Sequence, residues 1–495
     1  MENQVLINTT FNETRVAVLE NESLAELYIE KKSQPLIVGN IYKGKVGKVL
    51  PGMQAAFVDI GLNKSGFISA EDVQEESYFE YFLNEDEEEF KSSKIDKNLI
   101  QDVLRNGQEL LVQVLKEPSG GKGPKLSSYI AIPGKYLVLL GNVDTVGISK
   151  RIENEEDRKI LSEFIKDIKP KGLGFIVRTA ALEVEHNEIA KDLEYLISLW
   201  NEIKQRAEDD KSPLLLYEEP KLFIRIIRDL LSKDLKKIIV DSNETKEEMH
   251  KYYKSQLPNL IINIESYNDN KPLFSKFRIE EEIKKIFEKK LWLKSGGHLI
   301  IEEAEGLTVI DVNTGKYLSE TDHEETIYNI NKEAAFEIVR QIRLRNLVGI
   351  IVIDFIDLKN IEKREEIYNV FTGELKKDKA RSVVLEISPF GVVQMTRQRL
   401  RESILKTISE PCEYCQGIGY IKSKDTIIYE ILRNIQREII KPFIKEIQIY
   451  ANEEILDRLR ALENTNLEKL VQDKDIDLKY KTNGKRMDQF EIKII

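Results

Sequence analysis

The chain has 495 residues, of which 33% are charged and 41% hydrophobic, the balance of a globular protein with enough apolar material for several cores. Its length suggests about three or four domains. The net charge of −11 excludes a uniformly basic nucleic-acid binder, so any groove for nucleic acid must be a local patch. An acidic run at residues 85–89, expected in a surface insertion, supplies part of this negative charge.

We expect neither a secretory signal nor a membrane span in this sequence. Residues 1–8 lack a basic region followed by an apolar segment, which predicts a cytoplasmic protein. The purest apolar run, residues 347–353, is far shorter than the roughly 20 residues that a spanning helix needs.

The N-terminal residues consist of short apolar stretches separated by polar breaks. They predict three strands, at residues 5–8, 15–19 and 24–29. Three strands are too few for an independent sheet, so we expect them to pair with a later α/β segment. Residues 223–287, where helices and strands alternate, carry no compact acidic set and are expected to be structural.

Residues 38–128 predict a small barrel, because short strands and glycine turns follow one another around Phe57 and Phe67. Lys43 lies in the first of these strands, and Lys122 lies in a glycine-rich loop that would form a basic lip. Since aromatic rings stack bases and lysines follow the backbone, the pattern predicts sequence-tolerant binding of single-stranded RNA. The alternative places each phenylalanine in the barrel core. The pattern resembles the S1 RNA-binding domain.

Residues 129–222 predict an α/β segment in which two polar side chains follow a buried strand. The strand at 174–177 ends just before Arg178 and Thr179, and a long amphipathic helix is predicted at 182–207. A guanidinium and a hydroxyl at a strand end can converge on a small anion. The alternative is an arginine whose salt bridge only closes the strand end.

Two apolar strands, 307–313 and 348–354, carry acids at their ends. Asp311 and Asn313 project from the same side because strand side chains alternate between faces. Asp354 ends a run of the kind that is buried on both faces of a sheet. Because a buried carboxylate is costly unless it is paired or binds metal, the two acids predict Mg²⁺ or Mn²⁺ between them. The alternative is that each acid caps a strand end or a following helix.

The surroundings of these acids are predicted to be basic. Apolar residues at helical spacing predict a helix at 324–346, whose last turns carry Arg340, Arg343 and Arg345. These arginines either complement the helix dipole or contact phosphate beside the metal. Lys316 and three arginines that alternate on a later predicted strand would complete a site for a polyanion. The later arginines are Arg397, Arg399 and Arg401. A preceding strand at 298–304 would deliver the first acid in a hairpin.

The two cysteines, Cys412 and Cys415, have the spacing of a metal or redox pair, and glycines follow closely enough for the tight turn of a zinc knuckle. A structural zinc needs four ligands, so two chains would have to supply one pair each, which implies a homodimer. One alternative is a free thiol pair. Another is a dithiol redox centre, which is disfavoured because we expect no thioredoxin-like βαβ context.

Three strings of the sequence closely resemble the ribonuclease E/G family. They are Val-Ile-Asp-Val-Asn-Thr-Gly-Lys at 309–316, Arg-Gln-Ile-Arg-Leu-Arg-Asn at 340–346 and Ile-Ile-Val-Ile-Asp-Phe-Ile-Asp at 350–357. The resemblance implies a Mg²⁺-dependent endoribonuclease that cleaves single-stranded RNA and leaves 5′-phosphate and 3′-hydroxyl ends. It implies that Asp311 and Asp354 hold the metal and that Asn313 orients Asp311.

The resemblance also implies a site for the 5′-monophosphate of the RNA and a shared zinc. Arg178 and Thr179, with backbone near Gly134 and Val138, would receive the phosphate. The zinc would join two subunits of a homodimer, which could pair further into a tetramer. The resemblance covers about residues 1–440. It departs from several relatives at Pro389, where they carry a basic residue, and from the usual proline at Glu413.

The fold that follows from the resemblance is multidomain α/β (α+β). It comprises a ribonuclease-H-like subdomain (1–37 and 223–287), an inserted S1-type OB barrel (38–128), a 5′-sensor region (129–222), a DNase-I-like catalytic domain (288–408), a zinc-link (409–420) and a small C-terminal domain (421–495). A non-catalytic RNA-binding scaffold is the competing function, and the intact set of Asp311, Asn313 and Asp354 counts against it. The four histidines are scattered and are expected to be structural or solvated.

Overall fold

A computed structural model gives the fold of the chain. It contains two compact units, Met1–Thr407 and Ile408–Ile495, and each is described by itself. The structure describes residues 3–31, 36–73, 99–118, 122–150, 152, 154–230, 235–256, 263–315, 323–388, 391–399, 401–415, 417–440, 444–463, 475–482, 486 and 489–495. The acidic run at 85–89, Lys316 and Pro389 therefore lie outside the described residues.

The first unit mixes strands and helices along its whole length, as predicted. Its strands are β1 (Asn3–Asn8), β2 (Glu13–Glu20), β3 (Ser23–Lys31), β4 (Ile41–Leu50), β5 (Ala55–Asp59), β6 (Gly66–Ser69), β7 (Glu109–Lys116), β8 (Lys125–Ser127), β9 (Ala131–Pro133), β10 (Leu137–Leu140), β11 (Val146–Ile148), β12 (Gly174–Val177), β13 (Leu214–Tyr217), β14 (Leu235–Val240), β15 (Ile264–Ser266), β16 (Lys290–Trp292), β17 (His298–Glu303), β18 (Leu307–Asn313), β19 (Gly349–Asp354), β20 (Ser382–Val384) and β21 (Val392–Arg397). Its helices are α1 (Ile100–Val103), α2 (Glu155–Ile168), α3 (His186–Asp209), α4 (Leu222–Leu230), α5 (Asn243–Gln256), α6 (Leu273–Lys276), α7 (Ile279–Ile286), α8 (His323–Arg345), α9 (Ile361–Leu375) and α10 (Ile404–Ile408).

The first three strands belong to a sheet that a later part of the chain completes. The strand order is β15-β14-β1-β2-β3, and β1 runs parallel to β14 with Ile7 opposite Val240. Phe223, Ile227 and Met249, from α4 and α5, pack into the core of this sheet. The predicted pairing of the N-terminal strands with a later segment is therefore confirmed.

Strands β4 to β8 form the small barrel that the sequence predicted. They follow the order β4-β5-β6-β8-β7, and β4 also pairs with β7, which closes the barrel, while β13 adds to β4 from outside. Gly66 permits the close approach of two strands, because a Cβ atom there would lie 2.4 Å from Cδ1 of Leu126.

A four-stranded sheet, in the order β11-β12-β10-β9, packs against α2 and α3. The long helix begins at His186, later than predicted, because the chain first makes a 3₁₀ turn at Thr179–Glu183. That turn directly follows Arg178, so the predicted anion-binding residues lie between a strand and a turn.

One of the two six-stranded sheets of the described chain has the strand order β16-β17-β18-β19-β21-β20. One face packs on α8 and α9 through a core that includes Leu299, Ile310, Ile351 and Val393. The other face is open in this unit, since Ile350 is 50% exposed. The expectation that this apolar strand is buried on both faces is therefore wrong, because α8 and α9 cover only one side of the sheet.

The hairpin and the crossover helix of this sheet follow the prediction closely. β17 and β18 pair antiparallel, and α8 connects β18 to the parallel strand β19. The helix ends where Asn346 adopts a left-handed conformation, with φ of 51°. The Asn346 side chain donates to the carbonyl groups of Arg401 and Glu402, which fixes the turn into β19.

The second unit consists of α11 (Lys424–Glu438), β22 (Glu446–Ala451), α12 (Glu453–Glu463), β23 (Asp477–Thr482) and β24 (Glu491–Ile494). Its three-stranded sheet has the order β23-β22-β24, with β22 parallel to β23 and antiparallel to β24. Ile431, Ile447 and Leu456 are buried in its core. Within the described ranges, no helix combines the length and the apolarity that crossing a membrane requires.

Candidate active site

The two predicted catalytic acids lie side by side on adjacent strands. Asp311 on β18 and Asp354 on β19 are register partners in a parallel pair, and both strands end there. Alternation along each strand turns both carboxylates to the open face of the sheet. Asn313 lies on the same face, and its Nδ2 donates a 2.8 Å hydrogen bond to Oδ2 of Asp311. The structure thus brings the three residues together.

The electrostatics of this pair favour a bound cation. Asp354 is exposed and Asp311 is half-buried, so the acids are less buried than the sequence predicted. Partial desolvation raises the pKa of Asp354 above its usual range, and the neighbouring charges of Asp311 and Asp357 raise it further. Mg²⁺ commonly binds proteins through one or two carboxylates, with water and substrate phosphate completing the coordination shell. Asp311 and Asp354 fit that donor set, although within the described residues no group of three or more histidine, cysteine or acidic side chains forms a metal cage.

Two residues for which the sequence predicted no functional role lie beside Asn313. His298 on β17 is the register partner of Asn313, and Trp292 on β16 is the register partner of His298. Burial and the charge of Lys290 lower the pKa of His298, while Asp311 opposes this shift. The alternation of side chains along the predicted hairpin could have placed His298 on the acid-bearing face.

Glycines shape the rim beside Asn313. Gly315 follows β18 with φ of 70°, and a Cβ atom there would lie 2.2 Å from the carbonyl oxygen of Gly296 in the β16–β17 turn. Only glycine permits this close approach. The two loops therefore pack backbone to backbone at the edge of the site.

The arginines of α8 do not surround the acids, which corrects the prediction. The Arg343 guanidinium, buried in the fold, pairs with the carboxylates of Glu20 and Glu26. Arg340 pairs with Glu282 at 3.1 Å. These side chains join the helix to the N-terminal sheet and to α7, so their role is structural.

Three of the four remaining predicted arginines also lie away from the acids, and the fourth, Arg399, is exposed just after β21. Arg345 is buried and donates to two backbone carbonyl groups. Arg397 is buried against Asp378, with Nε 2.6 Å from Oδ2, and Arg401 lies over the ring of Tyr28.

Topology explains this error. The helix of a β-α-β crossover ends where the second strand begins. In β19 the acid Asp354 lies at the other end of the strand, so the last turns of α8 are far from it. Arg397 pairs with Gly349 at that start, whereas Asp354 pairs with Val392 at the other end of the strand.

Of the four residues predicted to bind a 5′-phosphate, Arg178 and Gly134 are in direct contact. Nη1 of Arg178 donates a 2.7 Å hydrogen bond to the carbonyl oxygen of Gly134. The loop that carries Gly134 is held by Asp192, which accepts hydrogen bonds from three successive backbone N–H groups at residues 135–137. Thr179 starts the following 3₁₀ turn, and Val138 lies on the adjacent strand β10. A Cβ atom at Gly134 would lie 2.6 Å from Asp192, so the loop requires glycine there.

On the barrel, the structure places the aromatic pair beside Lys48, whereas the predicted contact Lys43 lies elsewhere on the same strand. Phe57 and Phe67 are register partners, with ring centroids 6.1 Å apart, and Phe57 is 37% exposed. Lys48 is the register partner of Phe57. Lys43 is instead held by Glu109, at 3.0 Å. The exposed Lys122 lies in the loop before β8. The strand register, which includes a bulge in β4, could not be read from the sequence.

The cysteine pair lies in a loop ahead of α11. Cys412 is exposed and Cys415 is half-buried. Hydrogen bonds from the backbone N–H groups of Gly419 and Gly417 lower the pKa of the Cys415 thiol, and Cys412 contributes as well. Both glycines have positive φ, as the predicted tight turn requires. Two thiols with amide support fit half of a Cys₄ zinc site.

Comparison with known proteins identifies the family. The model described as "Ribonuclease E/G family" matches residues 131–400, and the S1 RNA binding domain model matches residues 36–128. The chain belongs to the ribonuclease E/G family. Ribonuclease G of Escherichia coli strain K12 is 39% identical over 94% of each chain. Ribonuclease G of Haemophilus influenzae is 39% identical over 88% of this chain and 87% of that protein. Ribonuclease E of Escherichia coli strain K12 is 36% identical over 90% of this chain and 41% of that protein.

Two expectations about the C-terminal residues are wrong. A ribonuclease E/G family model described as a thioredoxin-like domain matches residues 411–494, so the similarity extends well beyond residue 440. The parallel β22-α12-β23 unit agrees with that description and contradicts the expected absence of a βαβ context. The cysteine pair nevertheless precedes this unit in a loop and does not lie at a helix N-terminus.

Proposed function

We propose that this chain is a metal-dependent endoribonuclease that cleaves single-stranded RNA and leaves 5′-phosphate and 3′-hydroxyl ends. The observation that carries this proposal is the register pairing of Asp311 with Asp354, both on the open face and one of them bonded to Asn313. The paired acids, membership of a ribonuclease family and the S1 match support the same function.

Asp311 and Asp354 would hold Mg²⁺, with Mn²⁺ as a substitute. When bound, the metal lowers the pKa of a coordinated water and neutralises charge on the scissile phosphate. Asn313 restrains the carboxylate of Asp311 through its 2.8 Å hydrogen bond, so one ligand is oriented before the metal arrives. In-line attack of water on the phosphorus would then break the P–O3′ bond. One product keeps the phosphate at its 5′ end, and the other is released with a 3′-hydroxyl end.

The rest of the unit would bind and position the RNA strand. Phe57 and Phe67 present aromatic rings for base stacking, with Lys48 beside them and Lys122 in a neighbouring loop. Arg178, held against the Gly134 carbonyl, would anchor a terminal phosphate and favour 5′-monophosphorylated RNA. Thr179 and the backbone near Val138 would complete that pocket.

We further propose the architecture and assembly that the family resemblance implies. The barrel at 38–128 is an insertion in a ribonuclease-H-like subdomain. The six-stranded sheet that carries Asp311 and Asp354 belongs to a DNase-I-like catalytic domain. Cys412 and Cys415 supply two ligands of a zinc shared with a second copy in a homodimer, and dimers can pair into a tetramer. The chain would act in the cytoplasm, where thiols stay reduced.

The experiment that tests this function incubates a defined single-stranded RNA with the purified protein, with and without Mg²⁺. We expect internal cleavage only with the metal, and end-group analysis should find 5′-phosphate and 3′-hydroxyl products. Binding without cleavage under both conditions would instead identify a non-catalytic RNA-binding scaffold. Cleavage to 2′,3′-cyclic phosphate ends would contradict the proposed mechanism.

A further inference from the structure

Trp292 is a large aromatic residue that the fold leaves uncovered. The sequence contains two tryptophans. Trp200, on α3, is 2% exposed in the core, whereas Trp292 is 61% exposed on the open face of the six-stranded sheet that carries Asp311. Since tryptophan is highly buried on average, an exposed one beside a candidate active site requires a physical explanation.

The register of the sheet places Trp292 in line with the active site. Trp292, His298 and Asn313 are successive register partners across three adjacent strands, so all three side chains point to the face that carries Asp311. Neighbouring strands lie about 4.8 Å apart, which puts the Trp292 Cα roughly 10 Å from that of Asn313. A nucleotide next to the phosphate held at the acids would reach the indole ring.

The immediate neighbours of the ring suit a nucleotide better than an apolar protein surface. His298 lies on one side, with its ring centroid 5.1 Å from that of Trp292. Nζ of the exposed Lys290 lies 4.2 Å from the indole centroid. An aromatic platform with a cation beside it offers stacking to a base and charge compensation to its phosphate.

We propose that Trp292, supported by His298, is a base-stacking platform of the cleavage site. It holds a nucleobase adjacent to the scissile phosphate and so sets the position of the RNA strand relative to Asp311 and Asp354. This inference rests on the proposed endoribonuclease function and adds a substrate-binding residue to it. Because every base has an aromatic face, the platform tolerates any sequence.

The test combines Trp292→Ala with RNAs that carry a single abasic nucleotide at successive positions around the cleavage site. We expect the wild-type protein to lose about tenfold in kcat/KM when the abasic nucleotide occupies one particular position. Trp292→Ala should lose about tenfold in kcat/KM on intact RNA. It should show no further loss with the abasic nucleotide at that position, because the substitution and the missing base remove the same contact.

Two variants control for folding and for subunit contacts. Trp292→Phe keeps an aromatic ring and should retain most activity. Ile350→Ala removes an apolar side chain from the same open face at the start of β19, roughly 13 Å from Asp354 by strand rise, and should cleave like wild type. Sedimentation of all variants should give the same association state.

Tryptophan fluorescence supplies a second measurement that does not depend on catalysis. Adding RNA without Mg²⁺ should quench the emission of the exposed Trp292, and Trp292→Phe should abolish the change, because Trp200 is buried.

Three outcomes would overturn the inference while leaving the proposed function intact. They are wild-type cleavage by Trp292→Ala, additive losses at every abasic position, and a changed association state in both Trp292→Ala and Ile350→Ala with unaltered cleavage. The last result would assign the face to a protein contact. Failure of the wild-type protein to cleave RNA with Mg²⁺ would instead contradict the proposed function.

Discussion

Asp311 and Asp354 are register partners at the ends of two parallel strands, and their carboxylates share one face of the sheet. Partial desolvation and the adjacent charges raise the pKa of Asp354, so the pair is electrostatically unfavourable until a cation binds. Elsewhere in the unit, buried charges such as Arg397 and Asp378 are paired within the protein. The contrast distinguishes residues that hold the fold together from the two acids that we propose bind a metal ion.

Replacing Arg397 with alanine should destabilise the protein by about 3–5 kcal/mol, because Asp378 would keep a buried charge without its partner. The two side chains are 5% and 3% exposed. Urea unfolding measures the loss, and Arg399→Ala, at an exposed position, should change stability by less than about 0.5 kcal/mol. A stable Arg397→Ala protein with weakened RNA binding would restore the phosphate-contact role.

The ion pairs of Glu26 should make stability depend on acid pH. Burial raises the pKa of Glu26, but Lys379 and Arg343 outweigh it and lower the pKa from 4.5 to about 2. A carboxyl group whose pKa is lowered by folding contributes its full stabilisation when the pH is above its pKa in the unfolded state. This stabilisation is lost as the pH falls through its pKa in the folded state. Between pH 5 and 2, wild type should therefore lose on the order of 3 kcal/mol more than Glu26→Gln. The exposed control Glu302→Gln should keep the wild-type pH slope, and an identical slope in Glu26→Gln would refute the assignment.

Arg178→Ala should reduce the preference for 5′-monophosphorylated over 5′-hydroxyl RNA by about tenfold, because the variant loses a charge-assisted contact to the terminal phosphate. Cleavage rates of two RNAs that differ only at the 5′ end measure the effect. Lys48→Ala is the matched control and should weaken both RNAs equally, since backbone contacts on the barrel do not sense the terminus. An unchanged preference in Arg178→Ala would place the phosphate pocket elsewhere.

The cysteine pair should bind one zinc for every two chains. Metal analysis with sedimentation should find a zinc-containing homodimer, and Cys412→Ser or Cys415→Ser should give zinc-free monomers with lower activity on long RNA. Tyr414→Ala, between the cysteines, keeps both thiols and should keep the metal. One full zinc per monomer, or a zinc-free dimer, would contradict the bridge. A reversible disulfide without metal would favour the dithiol redox alternative.

The sequence predicted those parts of the fold that depend on local pattern. The alternation of 307–313, the helical spacing of 324–346 and the apolar run into Asp354 specified β18, α8 and β19 within one or two residues. The alternation also placed Asp311 and Asn313 on one face, where the hydrogen bond between them is observed.

The errors concern relations between distant segments. The sequence predicts phosphate contact for Arg343, but Arg343 pairs with Glu20 and Glu26, which lie more than 300 residues earlier in the chain. A contact over that distance cannot be read from local pattern. The sequence predicts RNA contact for Lys43, whereas a bulge in β4 places Lys48 opposite Phe57, and such a bulge cannot be read from composition. Trp292 could not be placed from the sequence for the same reason, since its position next to His298 depends on the pairing of β16 with β17.

Cleavage by the Asp311→Asn and Asp354→Asn variants tests the central claim most directly. Each variant and the wild-type protein would receive the same 5′-monophosphorylated RNA with Mg²⁺, and binding would be measured in parallel without metal. We expect both variants to bind RNA like wild type and to lose Mg²⁺-dependent cleavage, with weak rescue by Mn²⁺. Asn313→Ala should lose about 10- to 100-fold in cleavage rate, because Asn313 orients the carboxylate of Asp311 and does not itself hold the metal. Wild-type cleavage rates in both aspartate variants would show that the reaction takes place at another site.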